Sequence, residues 1–137
     1  SLLNLLGDVR PEKALVLGTG GASKAVKYVL EQLGIAFDAV SRDGKNGAYT
    51  YGDLSEEIVR AHRLIVNATP LGTFPNAEGC PVLPYEALGA GHFLFDLVYN
   101  PAVTEFLKRG AAQGAATRNG YDMLVGQAEK AWEIWNE

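Results

Sequence analysis

The sequence holds a single cysteine, Cys80, so no disulfide forms within the chain, and a reducing, cytoplasmic setting fits. Histidine is almost as scarce. His62 and His92 stand apart, with no acid or nucleophile at a spacing that marks catalysis, and both read as structural. No cluster of His, Cys and acids has metal-ligand spacing, so no metal is expected. Bases are outnumbered: 12 Lys and Arg against 16 Asp and Glu give a formal net charge of -4. With no basic run and no aromatic–basic platform, neither nucleic acid nor an anionic membrane surface is expected as a partner. No apolar run reaches the roughly 20 residues of a membrane span, and no leader peptide stands out. Internal repeats and low-complexity tracts are also absent. What remains is 137 residues, 47% hydrophobic and 20% charged, the size and composition of one ordinary globular domain.

The apolar residues fall into alternating short runs and helical stripes. "SLLNLL" predicts a short leading helix over residues 1–7, and "ALVLG" (14–18) a strand buried on both faces. From Ala22 the apolar positions Ala25, Val26, Val29, Leu30 and Leu33 keep helical spacing, and Gly34 closes the helix. "AFDAVSR" (36–42) is the next strand; "GDLSEEIVRAH" (52–62) reads as a helix capped by Asp53, with Glu56 three residues on. "RLIVNA" (63–68) and "HFLFDLVY" (92–99) are further buried strands, separated by a Gly, Pro and Asn-rich loop over 69–84. "VTEFLKRGAAQG" (103–114) is a helix ending at glycine, "AATR" a last short strand, and the stripe Met123, Leu124, Ala128, Ala131, Trp132 and Trp135 a closing helix. This alternation predicts an α/β fold: a doubly wound, mostly parallel sheet with helices on both faces. Ligands of such sheets sit beyond the carboxyl ends of the strands. Residues 18–23, 41–43, 67–72 and 96–101 all lie there.

The first of these groups reads G-T-G-G-A-S. It matches G-x-G-x-x-G with Ser23 in place of the last glycine. The first glycine of such a loop turns tightly, the second lets a pyrophosphate reach the backbone, and the third position packs helix against strand, a role that serine is small enough to fill. The helix that follows aims free N–H groups and its positive end at phosphates. A purely structural turn is the rival reading. About 20 residues beyond Gly18 lies Asp38, where an acid for a bare ribose is often sought. Asp38 comes early in its strand, however, whereas the ribose lies at the strand's end, at Ser41-Arg42-Asp43. A small hydroxyl followed by Arg suits a 2′-phosphate, and Lys45 adds charge. Asp43 either pairs with Arg42 or repels the phosphate, and a solvated Arg42 is the alternative.

"LGTGGASKAV", "SR", "NATPLGTFP", "DLVYNP" and "NGYDMLVGQAEKAWEIW" follow one another in this order. Together they resemble the cofactor-binding half of shikimate dehydrogenase, which interconverts 3-dehydroshikimate and shikimate with NADP in the chorismate route to aromatic amino acids. The resemblance runs from Lys13 to Trp135 and implies a Rossmann-type core over 13–120 and a closing helix over 121–136. Residues 1–137 are then one NADP-binding domain, and the family's N-terminal domain, with its proton-transferring Lys and Asp pair, is absent. By resemblance, Gly18, Gly20, Gly21 and Ala22 hold the diphosphate. Ser41 and Arg42 meet the ribose and its 2′-phosphate, where family members commonly show Asn-Arg-Thr. Asn67, Ala68 and Thr69 lie along the cofactor. Val98, Gly120 and Met123 line the nicotinamide pocket, and Tyr99 and Gln127 reach the substrate. The expectation is NADP(H) binding without turnover by this chain alone. The alternatives are a quinate/shikimate dehydrogenase using NAD and a stand-alone nucleotide-binding module.

Overall fold

The computed structural model describes residues 11–42, 47–69, 79–97 and 103–119. Within them six strands form one sheet: β1 (Lys13–Leu17), β2 (Ala36–Ser41), β3 (Tyr49–Thr50), β4 (Leu64–Asn67), β5 (Phe93–Asp96) and β6 (Ala116–Asn119). Their order is β3-β2-β1-β4-β5-β6, and every neighbouring pair is parallel. The chain therefore winds outward from β1 through β2 to β3, returns to the far side of β1, and winds outward again through β5 to β6. The strand order reverses between β1 and β4, where Leu17 stands in register with Asn67.

Among the described residues three α-helices cover the sheet: α1 (Gly21–Gln32), α2 (Glu56–Ala61) and α3 (Glu105–Ala112). The period-2 alternation of each strand sorts its residues between two cores. Ala14, Val16, Leu64, Val66 and Phe95 pack with Val26, Val29 and Leu30 of α1 on one face. Leu15, Leu17, Ile65 and Leu94 pack with Val59 of α2 and with Phe106 and Leu107 of α3 on the other. Both faces of the central strands are thus sealed, which is why those strands read as unbroken apolar runs. Each fully buried Val, Leu, Ile or Phe among them contributes about 1.5–3 kcal/mol of transfer free energy.

The doubly wound α/β reading holds, with every strand pair parallel. Several local expectations change. Residues 52–62 do not form one helix capped by Asp53. A single 3-10 turn over Tyr51–Asp53 comes first, and α2 starts only at Glu56. The Asp53 carboxylate instead reaches back to accept the Thr50 N–H at 2.9 Å, and this bond holds it below the ordinary carboxylate range. Ser55 is the true cap, its Oγ accepting from the Ile58 N–H at 3.2 Å, with Glu56 and Glu57 in the first turn where the dipole favours acids. Between them Leu54 stays extended so that its side chain enters the core. Two-residue β3 was not expected, because it is too short to show alternation.

His62 is not isolated either. Its Nε2 lies 2.7 Å from Asp38 Oδ2 and its Nδ1 lies 2.7 Å from the Ile58 carbonyl oxygen. The acid it needs comes from β2, 24 residues upstream, and only sheet formation brings it close. His92 is structural as expected: its Nε2 faces the Val59 carbonyl at 3.0 Å while Nδ1 accepts from the Gly89 N–H. The leading helix over 1–7 and the closing helix over 121–136 lie outside the described residues.

Candidate functional site

The carboxyl ends of β1, β2, β4 and β5 bring together the residues singled out in the sequence. At the end of β1 the turn begins with Gly18, whose φ of 108° is a conformation that L side chains rarely adopt. Its N–H donates to the Val40 carbonyl at 2.8 Å, and a Cβ there would lie 3.2 Å from Thr69 Cγ2 and 3.3 Å from the Ala68 oxygen. Glycine at 18 is therefore demanded by the chain itself.

Gly20 and Gly21 are different. Gly20, the residue preceding α1, has φ -79° and ψ -165°, an extended conformation open to any residue. A Cβ at either position would meet nothing within 4 Å among the described residues. Gly20 offers no side chain to cap α1, and no acid stands in the first turn. The positive end of a 12-residue helix thus opens beside two glycines with clear space above them. Ser23 fills the third motif position as expected. It is fully buried, and its Oγ donates to the Gly20 carbonyl at 2.6 Å, which fastens the turn to the helix. Ala22 is exposed on the same edge.

β2 ends at Ser41. Its side chain is buried, and its Oγ has no hydrogen-bond partner among the described residues. Gly47 packs over it closely enough that a Cβ there would stand 3.3 Å from that oxygen. The strand end thus offers solvent the exposed Arg42 rather than the Ser41 hydroxyl. Arg42 acts on Tyr51: burial raises the Tyr51 phenol above its ordinary range, and the Arg42 charge pulls it partway back. The Asp38 carboxylate sits in mid-strand, opposite Leu15, and is engaged by His62. It does not stand at the strand's end, where Ser41 and Arg42 do.

At the end of β4, Asn67 is fully buried. Its Oδ1 accepts from the Thr69 N–H at 3.0 Å and from Thr69 Oγ1 at 2.6 Å, while its Nδ2 donates to Asp96 Oδ1 at 3.1 Å. The Ala68 N–H donates to the Leu17 carbonyl at 2.9 Å, which ties this turn to the end of β1. Asp96, at the end of β5, also accepts from Thr104 Oγ1 at 2.6 Å. Sequence reasoning assigned no role to Asp96 or Thr104. An acid closing the apolar run "FLFD" was the available signal. Gly18, Gly20, Gly21, Ala22, Asn67, Ala68 and Thr69 therefore share the edge where the strand order reverses, with Arg42 beyond β2. Asp43, Lys45, Val98, Tyr99, Gly120, Met123 and Gln127 lie outside the described residues. Among the described residues no group of His, Cys and acids forms a metal site, and no helix is long and apolar enough to cross a membrane.

No protein-family model matches the chain. Among curated proteins, the shikimate dehydrogenase (NADP(+)) of Methanococcus aeolicus is 33% identical over 149 residues, covering 98% of this chain and 53% of that protein. Among solved structures, shikimate 5-dehydrogenase from Thermus thermophilus in complex with NADP(H) and shikimate superposes with a TM-score of 0.70 at 32% identity, covering 89% of this chain and 48% of that one. Quinate dehydrogenase from Corynebacterium glutamicum in complex with NAD superposes with a TM-score of 0.77 at 26% identity, covering 97% and 52%. The chain spans about half the length of the curated relatives it matches.

Proposed function

The chain belongs to the shikimate dehydrogenase family, and from that premise we propose that it is the NADP-binding domain of a shikimate dehydrogenase, an oxidoreductase interconverting 3-dehydroshikimate and shikimate. The observation that carries this reading is the pair Gly20 and Gly21. Nothing in the described chain requires glycine at either position, whereas a pyrophosphate lying against the backbone does. The residues present fit the group. The open start of α1 takes a diphosphate, and Gly18 makes the turn that clears its path. Arg42 stands free of any ion-pair partner among the described residues, at the strand end where a 2′-phosphate lies. When bound, NADPH would supply the hydride for ketone reduction and NADP+ would accept it in the reverse direction; these residues would bind and orient the cofactor.

Ala68, Thr69, Val98, Gly120 and Met123 complete the proposed cofactor contacts, with the buried Ser41 and Asn67 shaping that edge from beneath, and Tyr99 and Gln127 the contacts to shikimate. Hydride transfer needs donor and ketone held in near-attack geometry. This half supplies the nicotinamide side, so the chain alone binds cofactor without turning over shikimate. The second reading, an NAD-dependent quinate dehydrogenase, draws on the NAD-bound neighbour. The end of β2 speaks against it, since no carboxylate stands at position 41 to bond a bare 2′-hydroxyl.

Calorimetric titration with NADP+ and NAD+ of the wild type and of Arg42→Ala tests the proposal. A charge-assisted bond from Arg42 is worth about 1.5–3 kcal/mol, so the wild type is expected to prefer NADP+ by about ten- to a hundredfold. Arg42→Ala is expected to abolish that preference and leave NAD+ affinity unchanged. Equal affinities in the wild type, or a full preference surviving in Arg42→Ala, would refute the assignment of the β2 end.

A further inference from the structure

One buried ring, that of His62, meets three elements. Its Nδ1 lies 2.7 Å from the Ile58 carbonyl oxygen of α2, and its Nε2 lies 2.7 Å from Asp38 Oδ2 of β2. The Tyr49 ring of β3 meets it edge-on, with centroids 6.3 Å apart and planes at 88°. A carbonyl oxygen carries no hydrogen, so Nδ1 donates to it. The bridge from Nε2 to Asp38 then holds a second hydrogen, because without one a ring lone pair would face a carboxylate oxygen at 2.7 Å. One ring nitrogen is thus tied to a helix and the other to a strand, and the ring cannot turn without leaving a buried polar atom unpaired. The strand that needs such an anchor is β3. β1 and β2 pair along their length, whereas β3 meets β2 only at Val40↔Tyr49 and Ser41↔Thr50. So short a ladder opens readily unless a side chain holds it. The second pair is the last before Arg42, and β3 lies along the outer side of the buried Ser41 from which Arg42 leaves the sheet.

We propose that His62 is a positioning residue for the end of β2: held by Ile58 and Asp38, it seats Tyr49 and with it β3, so that Arg42 leaves the sheet from a fixed backbone. This rests on the reading that Arg42 meets the 2′-phosphate of a dinucleotide. His62 acts through Tyr49 and β3. It therefore bears on the choice between a phosphorylated and a bare ribose, and not on the diphosphate held at the start of α1.

The two ring bonds order the variants. His62→Ala removes the anchor, and Asp38→Ala removes its tie to β2. Asp38→Asn supplies the bridging hydrogen from its own amide, which donates to Nε2 while Nδ1 keeps Ile58, so the ring stays held. Amide hydrogen exchange of the 15N-labelled full chain, made without ligand, and calorimetric titration with NADP+ and NAD+ read the two halves of the claim. The Ala48 N–H, which donates to the Ala39 carbonyl at 2.8 Å, reports on the β3 edge. In His62→Ala it is expected to exchange about ten- to a hundredfold faster, beyond any change in the amides of β1. The ratio of NADP+ to NAD+ affinity is expected to fall about three- to tenfold, a part of what Arg42 contributes, with NAD+ affinity unchanged. Asp38→Asn is expected to keep both quantities near the wild type. If His62→Ala does not fold, Asp38→Ala takes its place and is expected to change both in the same direction. Ala48 exchange that is unchanged, or that rises only as much as in β1, overturns the proposal. So does faster Ala48 exchange with an unaltered affinity ratio, and so does equal impairment by Asp38→Ala and Asp38→Asn. A wild type that binds the two cofactors equally, or neither, overturns the functional reading beneath the proposal, and that result appears before any variant is made.

Discussion

Replacing Gly20 by alanine separates what the fold requires from what a ligand requires. With φ at -79° and ψ at -165°, the alanine backbone is unstrained, and its Cβ meets nothing within 4 Å among the described residues. Removing a glycine narrows the unfolded ensemble and adds about 0.4–1 kcal/mol of stability. Alanine is a poorer residue than glycine just before a helix, which costs about 0.5–1 kcal/mol. The two nearly cancel, so the net change is expected within about 0.5 kcal/mol, or roughly 2 °C in Tm for a chain of this size. Gly18→Ala is the contrast. Its φ of 108° and the 3.2 Å approach to Thr69 Cγ2 leave a side chain strained and crowded. A cost of about 1–3 kcal/mol is expected there, a fall in Tm of about 3–12 °C. For binding the order reverses in meaning. On the proposed function the methyl at position 20 takes the space a pyrophosphate needs, and overpacking of that size costs about 1–3 kcal/mol. NADP+ affinity in Gly20→Ala is then expected to fall about five- to 150-fold with the fold intact. Differential scanning calorimetry and titration calorimetry measure the two quantities on one sample. A Gly20→Ala protein that binds NADP+ as the wild type does, or that melts as early as Gly18→Ala, would show that glycine at 20 serves something other than a ligand.

Two further expectations concern buried hydroxyls. Ser41 Oγ is buried without a partner among the described residues, so Ser41→Ala is expected to stabilise the ligand-free chain by about 1 kcal/mol, seen as a Tm rise of about 3–5 °C, and a lowered Tm counts against this. Burial first, and the neighbouring Cys80 next, push the Tyr85 phenol upward, and its OH donates to the Pro81 carbonyl at 2.7 Å. A raised folded value means that the native state keeps a proton the unfolded chain releases, so this contribution is whole below about pH 10 and is lost as pH climbs beyond it. Tyr51, also raised by burial, adds to the same alkaline loss. Tyr85→Phe is expected to lower stability by about 1 kcal/mol near neutrality and to flatten the decline above pH 10, as followed by urea unfolding at stepped pH. An undiminished alkaline decline in Tyr85→Phe would assign the loss elsewhere.

The alternation of elements, the parallel sheet and the glycine turn were legible from residues alone, because each rests on local signals. The buried runs "ALVL" and "LIV" have no polar face to turn outward, α1 carries a regular apolar stripe, and Gly34, with φ at 72°, ends it as expected. The glycines stood in the right place because strand, turn and helix are contiguous in the chain. Local signals misled where two caps competed. Asp53 and Ser55 both suit a helix start, and the need to bury Leu54 gave the helix to Ser55. The pairings that cross the sheet were beyond sequence reasoning. His62 finds Asp38 from 24 residues away, and Asn67 finds Asp96 from 29, because β2, β1, β4 and β5 lie side by side in parallel register. Nor does sequence show that glycine at 18 serves the backbone while glycine at 20 and 21 faces open space. That distinction depends on a dihedral angle and on what stands within 4 Å, and both exist only once β4 has packed beside β1. Contiguous residues meet whatever the fold, and distant ones meet only when burial of the apolar faces has fixed the order of the strands.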